Sequence, residues 1–178
     1  EILEAEQLPL RYVGFSPCFR REAGSYGKDV RGLNRVHQFD KVELVQMVTP
    51  ERSYEVLEEM VEHVEKLIQT LGLQYRILRL CGGDMSFTSA LTYDFEVYSA
   101  AQQRWLEVSS VSNFESFQAN RMKIRYKDAN GKTSLVHTLN GSSLALPRIL
   151  ACLLENNQTE NGILLPVPLQ AYFGGEMI

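Results

Sequence analysis

No stretch of this 178-residue chain approaches the roughly 20 consecutive apolar residues that a helix needs to cross a membrane. Its opening residues, EILEAEQLPLRYVGF, lack the basic-then-apolar pattern of a secretory leader and do not start with Met, which predicts a cytoplasmic location and a piece of a longer protein. Basic charge is not in excess either. Eighteen Lys and Arg against 22 Asp and Glu give a net charge of −4. A generally basic nucleic-acid binder is therefore excluded, and any RNA contact must come from a local cluster. Cys18, Cys81 and Cys152 stand far apart with no C-x-x-C pair, so neither a disulfide framework nor structural zinc is expected. The phosphate-cradling G-x-x-x-x-G-K-[ST] loop is missing, as are G-x-G-x-x-G, H-E-x-x-H and G-x-S-x-G. His37, His63 and His137 are scattered, and nothing positive supports a hydrolytic triad.

What is present is an ordinary globular composition, 44% hydrophobic and 22% charged, over a length that fits one domain. Tyr12–Phe19 reads as a strand, followed by a long mobile loop over Ala23–Gly32 and a returning antiparallel strand over Arg35–Gln46. Thr49 is placed to cap a helix with Pro50 in its first turn. Tyr54, Leu57, Val61, Val64, Ile68 and Leu71 then recur at helical spacing until Gly72 stops the helix. The acidic residues Glu55, Glu58, Glu62 and Glu65 make its solvated face. Three short strands are expected at Tyr75–Cys81, Leu91–Tyr98 and Trp105–Val111. A hairpin is expected next, with Arg121, Lys123, Arg125 and Lys127 alternating along one strand, a turn at Asp128–Gly131, and Thr133–Leu139 returning. The last helix, Ser143 to about Asn156, is apolar nearly all round and reads as buried. Together these elements predict an α+β fold, an antiparallel sheet with flanking helices.

Three groups of residues stand out chemically. Arg148 lies in an apolar helix, where a cation needs either a buried carboxylate or an anion held in a cleft. Arg20, Arg21 and Glu22 end a strand just before the glycine-bearing loop, and Phe39 and Glu43 lie on the strand that should pair back. Being four apart on a strand, Phe39 and Glu43 share a face. A cation, an aromatic ring and carboxylates on one surface suit a nucleotide together with a small zwitterion. In Glu107-Val108-Ser109-Ser110, a strand carboxylate and hydroxyl are candidates for sharing a magnesium ion.

Read together, these stretches closely resemble the catalytic domain of the seryl-tRNA synthetases, which are class II aminoacyl-tRNA synthetases. Phe19-Arg20-Arg21-Glu22-Ala23-Gly24-Ser25 through Arg35-Val36-His37-Gln38-Phe39 is similar to the family's motif 2. His137-Thr138-Leu139-Asn140-Gly141-Ser142-Ser143-Leu144-Ala145 through Pro147-Arg148 is similar to motif 3. The resemblance implies a class II synthetase-like catalytic fold, truncated, with residues 1–178 forming the C-terminal part of the catalytic domain. The family's N-terminal tRNA-binding helical arm, its motif 1 and the loop that holds the serine amino group are expected to be absent.

By the same resemblance, Arg20 bridges the serine carboxylate and the ATP α-phosphate, Glu22 contacts the nucleotide, Phe39 stacks on adenine, and Arg148 takes the γ-phosphate. Arg21, Val108 and Ser109 fall among the implied ATP-binding residues. Glu107 and Ser110 are implied to hold magnesium and the nucleotide phosphates, while Glu43 and Ser142 read serine with Asn140 close by. The implied substrates are ATP, L-serine and tRNA(Ser), the implied cofactor is magnesium, and the implied assembly is a homodimer of the full-length protein without membrane contact. The isolated piece is expected to be poorly active. Two alternatives remain at this point: a paralogue that charges a carrier protein, and a synthetase-like binding module without activity.

Overall fold

The computed structural model describes residues 1–22 and 32–178. The loop expected over Ala23–Gly32 thus lies outside the described residues except for Gly32, which opens a short 3-10 turn, Gly32–Asn34.

The chain runs β1 (Ile2–Glu4), β2 (Leu10–Phe19), β3 (Gln38–Val48), α1 (Ser53–Thr70), β4 (Tyr75–Arg79), β5 (Leu91–Ser99) and β6 (Arg104–Asn113). It continues with α2 (Phe117–Met122), β7 (Arg125–Lys127), β8 (Thr133–Leu135), β9 (His137–Ala145), α3 (Leu146–Asn156), β10 (Gln158–Thr159), β11 (Gly162–Ile163) and α4 (Val167–Phe173). Six strands form one antiparallel sheet in the order β2-β3-β9-β6-β5-β4. The α+β class and the antiparallel sheet with flanking helices are as the sequence predicts. Outside the sheet, β1, β7 and β8 make a small three-stranded piece, and β10 and β11 pair as a hairpin.

Antiparallel partners share a face, so register decides which side of the sheet each residue occupies. Phe95, Val97, Leu106, Val111 and Leu139 fall on one side, where they form a single core with Val56, Leu57, Met60, Val64 and Ile68 of α1 and with Ile149, Cys152 and Leu153 of α3. Helices α1 and α3 therefore cover one face and leave most of the other for chemistry.

Four local expectations are corrected. Thr49 makes no side-chain cap; a 3-10 turn, Pro50–Arg52, precedes α1, and the Ser53 hydroxyl donates to the Pro50 carbonyl at 3.0 Å. The strand expected from Arg121 is instead the end of α2, closed by Lys123 in a left-handed conformation (φ 57°), so only Arg125–Lys127 remains extended. Thr133–Leu139 is interrupted at Val136, whose side chain is wholly buried in a second core with Leu3, Ala119 and Tyr126. The last helix starts at Leu146 rather than Ser143, because residues up to Ala145 pair with β3, and it is amphipathic: Ile149, Ala151, Cys152 and Leu153 are buried while Leu146 and Leu150 are exposed.

Gly141 is the tightest point of the sheet. It lies opposite Val111, and a Cβ built there would sit 2.8 Å from Val111 Cγ2 and 3.0 Å from Val111 Cα. Because a backbone atom cannot rotate away, Gly141→Ala must spread β6 from β9 or shift their register. Urea unfolding is expected to show a loss of about 1–3 kcal/mol, the usual range for overpacking; unchanged stability would contradict this close approach.

Candidate active-site cleft

The open face collects polar residues from four neighbouring strands: Phe39, Lys41 and Glu43 on β3, Asn140 and Ser142 on β9, Glu107 and Ser110 on β6, and Asp94 and Glu96 on β5. Glu107 and Ser110 are three apart and would lie on opposite faces of a regular strand. A bulge brings them together. Ser109 pairs with Phe95 and Glu107 with Glu96, which leaves Val108 as the extra residue. The same bulge explains why Leu106 and Val108, then Ser109 and Val111, are all buried.

At one end of this face lies a cleft of about 260 Å³, bordered by Arg20, Arg35, Phe39, Glu107, Ser142 and Arg148. Arg20 prolongs the β2–β3 hairpin, its amide donating to the His37 carbonyl at 2.9 Å. The Arg20 guanidinium sits over the Phe39 ring, 4.7 Å from its centre, a cation–π contact that ties the ring to the cleft's cationic wall. Glu22, whose side chain is only 3% exposed, pairs with both Arg20 and Arg35, its Oε2 being 2.5 Å from Arg35 Nε. One buried carboxylate thus fixes two guanidinium groups.

Arg148 meets neither expectation fully. No carboxylate pairs with it among the described residues. Instead Nε donates to the Asn34 carbonyl at 2.9 Å and Nη1 to the Glu107 carbonyl at 2.5 Å. Two backbone acceptors leave its positive charge uncompensated, as an anion site requires. Burial draws its pKa down, against the opposing pull of Glu107. Burial also pushes the Glu107 carboxyl above its usual value, helped by Asp94 and only partly offset by Arg148. Asp94 is raised too, first by burial, while the Ser110 hydroxyl bonds it and works in the other direction. Asp94 Oδ1 is buried without a hydrogen-bond partner among the described residues. Two neighbouring carboxylates beside a hydroxyl fit a hard dication that keeps other oxygen ligands from water or phosphate. No group of three or more metal-binding side chains occurs among the described residues.

Next to the cations lies a polar corner. Ser142 Oγ donates to Glu43 Oε2 at 3.3 Å, and Lys41 Nζ is 3.0 Å from the same oxygen. Of the other predicted residues, Val108 and Ser109 line the cleft with little side chain to offer, whereas Arg21, Ser110 and Asn140 do not line it. Arg21 is exposed beside Phe19 and His37, on the side away from the cleft. The Val108 side chain is buried in the core, so only its backbone can border a ligand. The Ser109 hydroxyl is used internally, donating to the Ser142 carbonyl at 2.5 Å. Ser110 stands behind Glu107 with Asp94, and Asn140 lies further along the face, bonded to Gln118. Sequence reasoning gave no role to Arg35, Lys41 or Asp94. Arg35 was signalled by its four-residue step from Phe39; Asp94 could emerge only from the β5–β6 register.

Residues 1–157 match the family described as tRNA synthetase class II core domain (G, H, P, S and T). A serine–tRNA ligase of Salinibacter ruber is 62% identical over 176 residues, which is 98% of this chain and 41% of that protein. The structure of seryl-tRNA synthetase from Pyrococcus horikoshii complexed with ATP matches with a TM-score of 0.95 and 43% identity, covering 100% of this chain and 40% of that one. The cytoplasmic serine–tRNA ligase of Naegleria fowleri in complex with AMP matches with a TM-score of 0.92 and 34% identity, covering 99% and 42%. The chain spans about two-fifths of the length of these relatives.

The charge at Glu107 carries a stability cost with a definite pH signature. With the folded pKa raised above 4.5, the native state holds a proton that the unfolded state has released between those two values, so stability falls as pH rises through that window. Glu107→Gln is expected to raise the melting temperature near neutral pH, and the gain should vanish as pH drops towards about 4.5. A variant less stable than the parent at neutral pH would show that the carboxylate is net stabilising.

Proposed function

The chain belongs to the class II tRNA synthetase core-domain family (G, H, P, S and T), and from that premise we propose that it is the motif 2 to motif 3 part of a seryl-tRNA synthetase catalytic domain. The whole protein then activates L-serine with ATP and transfers it to tRNA(Ser). The observation that carries this reading is the convergence of Arg20, Phe39, Glu107 and Arg148 on one cleft next to the Glu43–Ser142 corner. The names of the relatives and the ATP and AMP complexes among them support it.

In this mechanism the serine carboxylate attacks the α-phosphorus of ATP and expels pyrophosphate, leaving seryl-adenylate; a terminal hydroxyl of the tRNA then attacks the adenylate carbonyl. No protein nucleophile is needed, so catalysis is positioning and stabilisation of negative charge. Arg20, braced by Glu22 and Phe39, bridges the carboxylate and the α-phosphate. Adenine stacks on Phe39, Glu22 contacts the nucleotide, and Arg148 takes the γ-phosphate with its backbone-anchored fork. Glu107 and Ser110 would hold a magnesium ion arriving with ATP, and its chemistry there would be to neutralise phosphate charge. Glu43 and Ser142, with Asn140 beside them, read the polar head of serine. Alanine would leave those groups unpaired, a penalty that can discriminate by roughly 10⁴. Edge strand β2 exposes Tyr12, Val13, Phe15 and Phe19, an apolar surface that supports homodimer formation by the full-length protein.

Serine-dependent pyrophosphate exchange by the full-length protein tests this reading. Arg20→Ala is expected to lower exchange at least about 100-fold, the scale of losing one transition-state donor. No loss would indicate a binding module, and exchange followed by charging of a protein rather than tRNA would indicate a carrier-charging paralogue. The isolated 178-residue chain should exchange far more slowly than the full-length protein. Near-normal exchange by the isolated chain would show that the serine-binding loop and dimer motif expected upstream are dispensable.

A further inference from the structure

We propose that Gln118 is a positioning residue for the amino-acid subsite, holding the Asn140 carboxamide so that its oxygen is presented to the substrate hydroxyl. The inference rests on the seryl-tRNA synthetase reading above and extends it to a residue on a different element. Helix α2 lies over the open face at the far end of β9 from Arg148, and its Ala119 is wholly buried with Leu3, Tyr126 and Val136, which fixes the backbone next to Gln118. Thr138, Asn140 and Ser142 follow one another at two-residue steps along that face of β9. Gln118 Oε1 accepts two hydrogen bonds there, from Thr138 Oγ1 at 2.8 Å and from Asn140 Nδ2 at 3.0 Å.

The direction of these bonds is what matters. Thr138 is 1% exposed, so its hydroxyl must find a partner within the protein, and it donates to the Gln118 oxygen. A carboxamide has one acceptor oxygen and one donor nitrogen. With Asn140 Nδ2 drawn to Gln118, turning the amide over would set oxygen against oxygen. Asn140 Oδ1 is thereby kept as an acceptor, and it takes no hydrogen bond from the described residues. Ser142, two residues along, presents its hydroxyl to Glu43. The acceptor that Gln118 secures thus flanks the corner assigned to the serine head group and lies away from the nucleotide residues Phe39 and Arg148. Its loss should weaken recognition of serine and leave ATP untouched.

The experiment is serine-dependent pyrophosphate exchange with the full-length protein. Gln118→Ala is expected to raise the serine KM about five- to tenfold, the scale of one net hydrogen bond, with kcat within about twofold and the ATP KM unchanged. Gln118→Glu keeps an acceptor oxygen at the same reach and should restore the serine KM. In an Asn140→Ala background, Gln118→Ala should add nothing further. An unchanged serine KM, a parallel rise in the ATP KM, or a full additional penalty on top of Asn140→Ala would overturn the inference. Gln118→Met keeps the side-chain length without the acceptor and gives the same comparison where Gln118→Ala fails to fold. Absence of serine-dependent exchange in the unaltered protein would instead remove the synthetase reading itself, so the two failures are distinguishable.

Discussion

Strand register in the six-stranded sheet is the constraint on which the site depends. Side chains alternate across a sheet, so a slip of one residue in any of β3, β9, β6 or β5 would send its polar residues into the core and its apolar ones into the cleft. The helices lock this arrangement from behind: α1 and α3 bury one face in a continuous core, which makes exchange of faces prohibitively costly. Gly141 against Val111 adds a steric lock, since β6 and β9 meet there at a separation that no side chain allows. Bulges at Val108 and near Lys41–Glu43 then re-aim residues that plain alternation would misplace.

On this frame the charges are organised unequally. The cations are held firmly, Arg20 and Arg35 by the buried Glu22 and Arg148 by two backbone carbonyls. None of these contacts on Arg148 cancels its charge, so the cleft keeps a fixed positive potential. Opposite them, Glu107, whose side chain opens onto the cleft, and half-buried Asp94 are carboxylates whose pKa values are drawn up, first by burial. Under the proposed function, phosphates and a dication would offset these uncompensated charges. That asymmetry is expected of a site that stabilises developing charge by fixed groups and not by rearrangement.

The amino-acid end is built differently, from neutral and paired groups. Glu43 is balanced by Lys41 and Ser142, while Asn140 is oriented from α2 through Gln118. Under the proposed reading, charge serves the nucleotide and directional hydrogen bonds serve the small substrate. Separate elements support the two tasks, α3 for the first and α2 for the second.

From the sequence alone, Arg35–Gln46, Leu91–Tyr98 and Trp105–Val111 could be read as strands and Tyr54–Leu71 as a helix, because residue type and apolar spacing are local signals. The residues of the two motifs could also be recognised, since they sit within short contiguous stretches. Arg20 with Phe39 was legible from hairpin pairing, and Glu43 with Phe39 from their four-residue step. What the tertiary structure decided was everything that depends on two strands meeting. The bulge that unites Glu107 with Ser110 is a mismatch between β5 and β6, and neither strand records it alone. The internal use of the Ser109 hydroxyl and the backbone anchoring of Arg148 both depend on partners far away in the chain. The start of α3 at Leu146 followed the same logic: hydrogen bonds to β3 outweighed a local apolar pattern that reads as helix from Ser143. Periodicity is written in neighbouring residues, whereas register, burial and hydrogen-bond partnership are properties of pairs that only folding brings together.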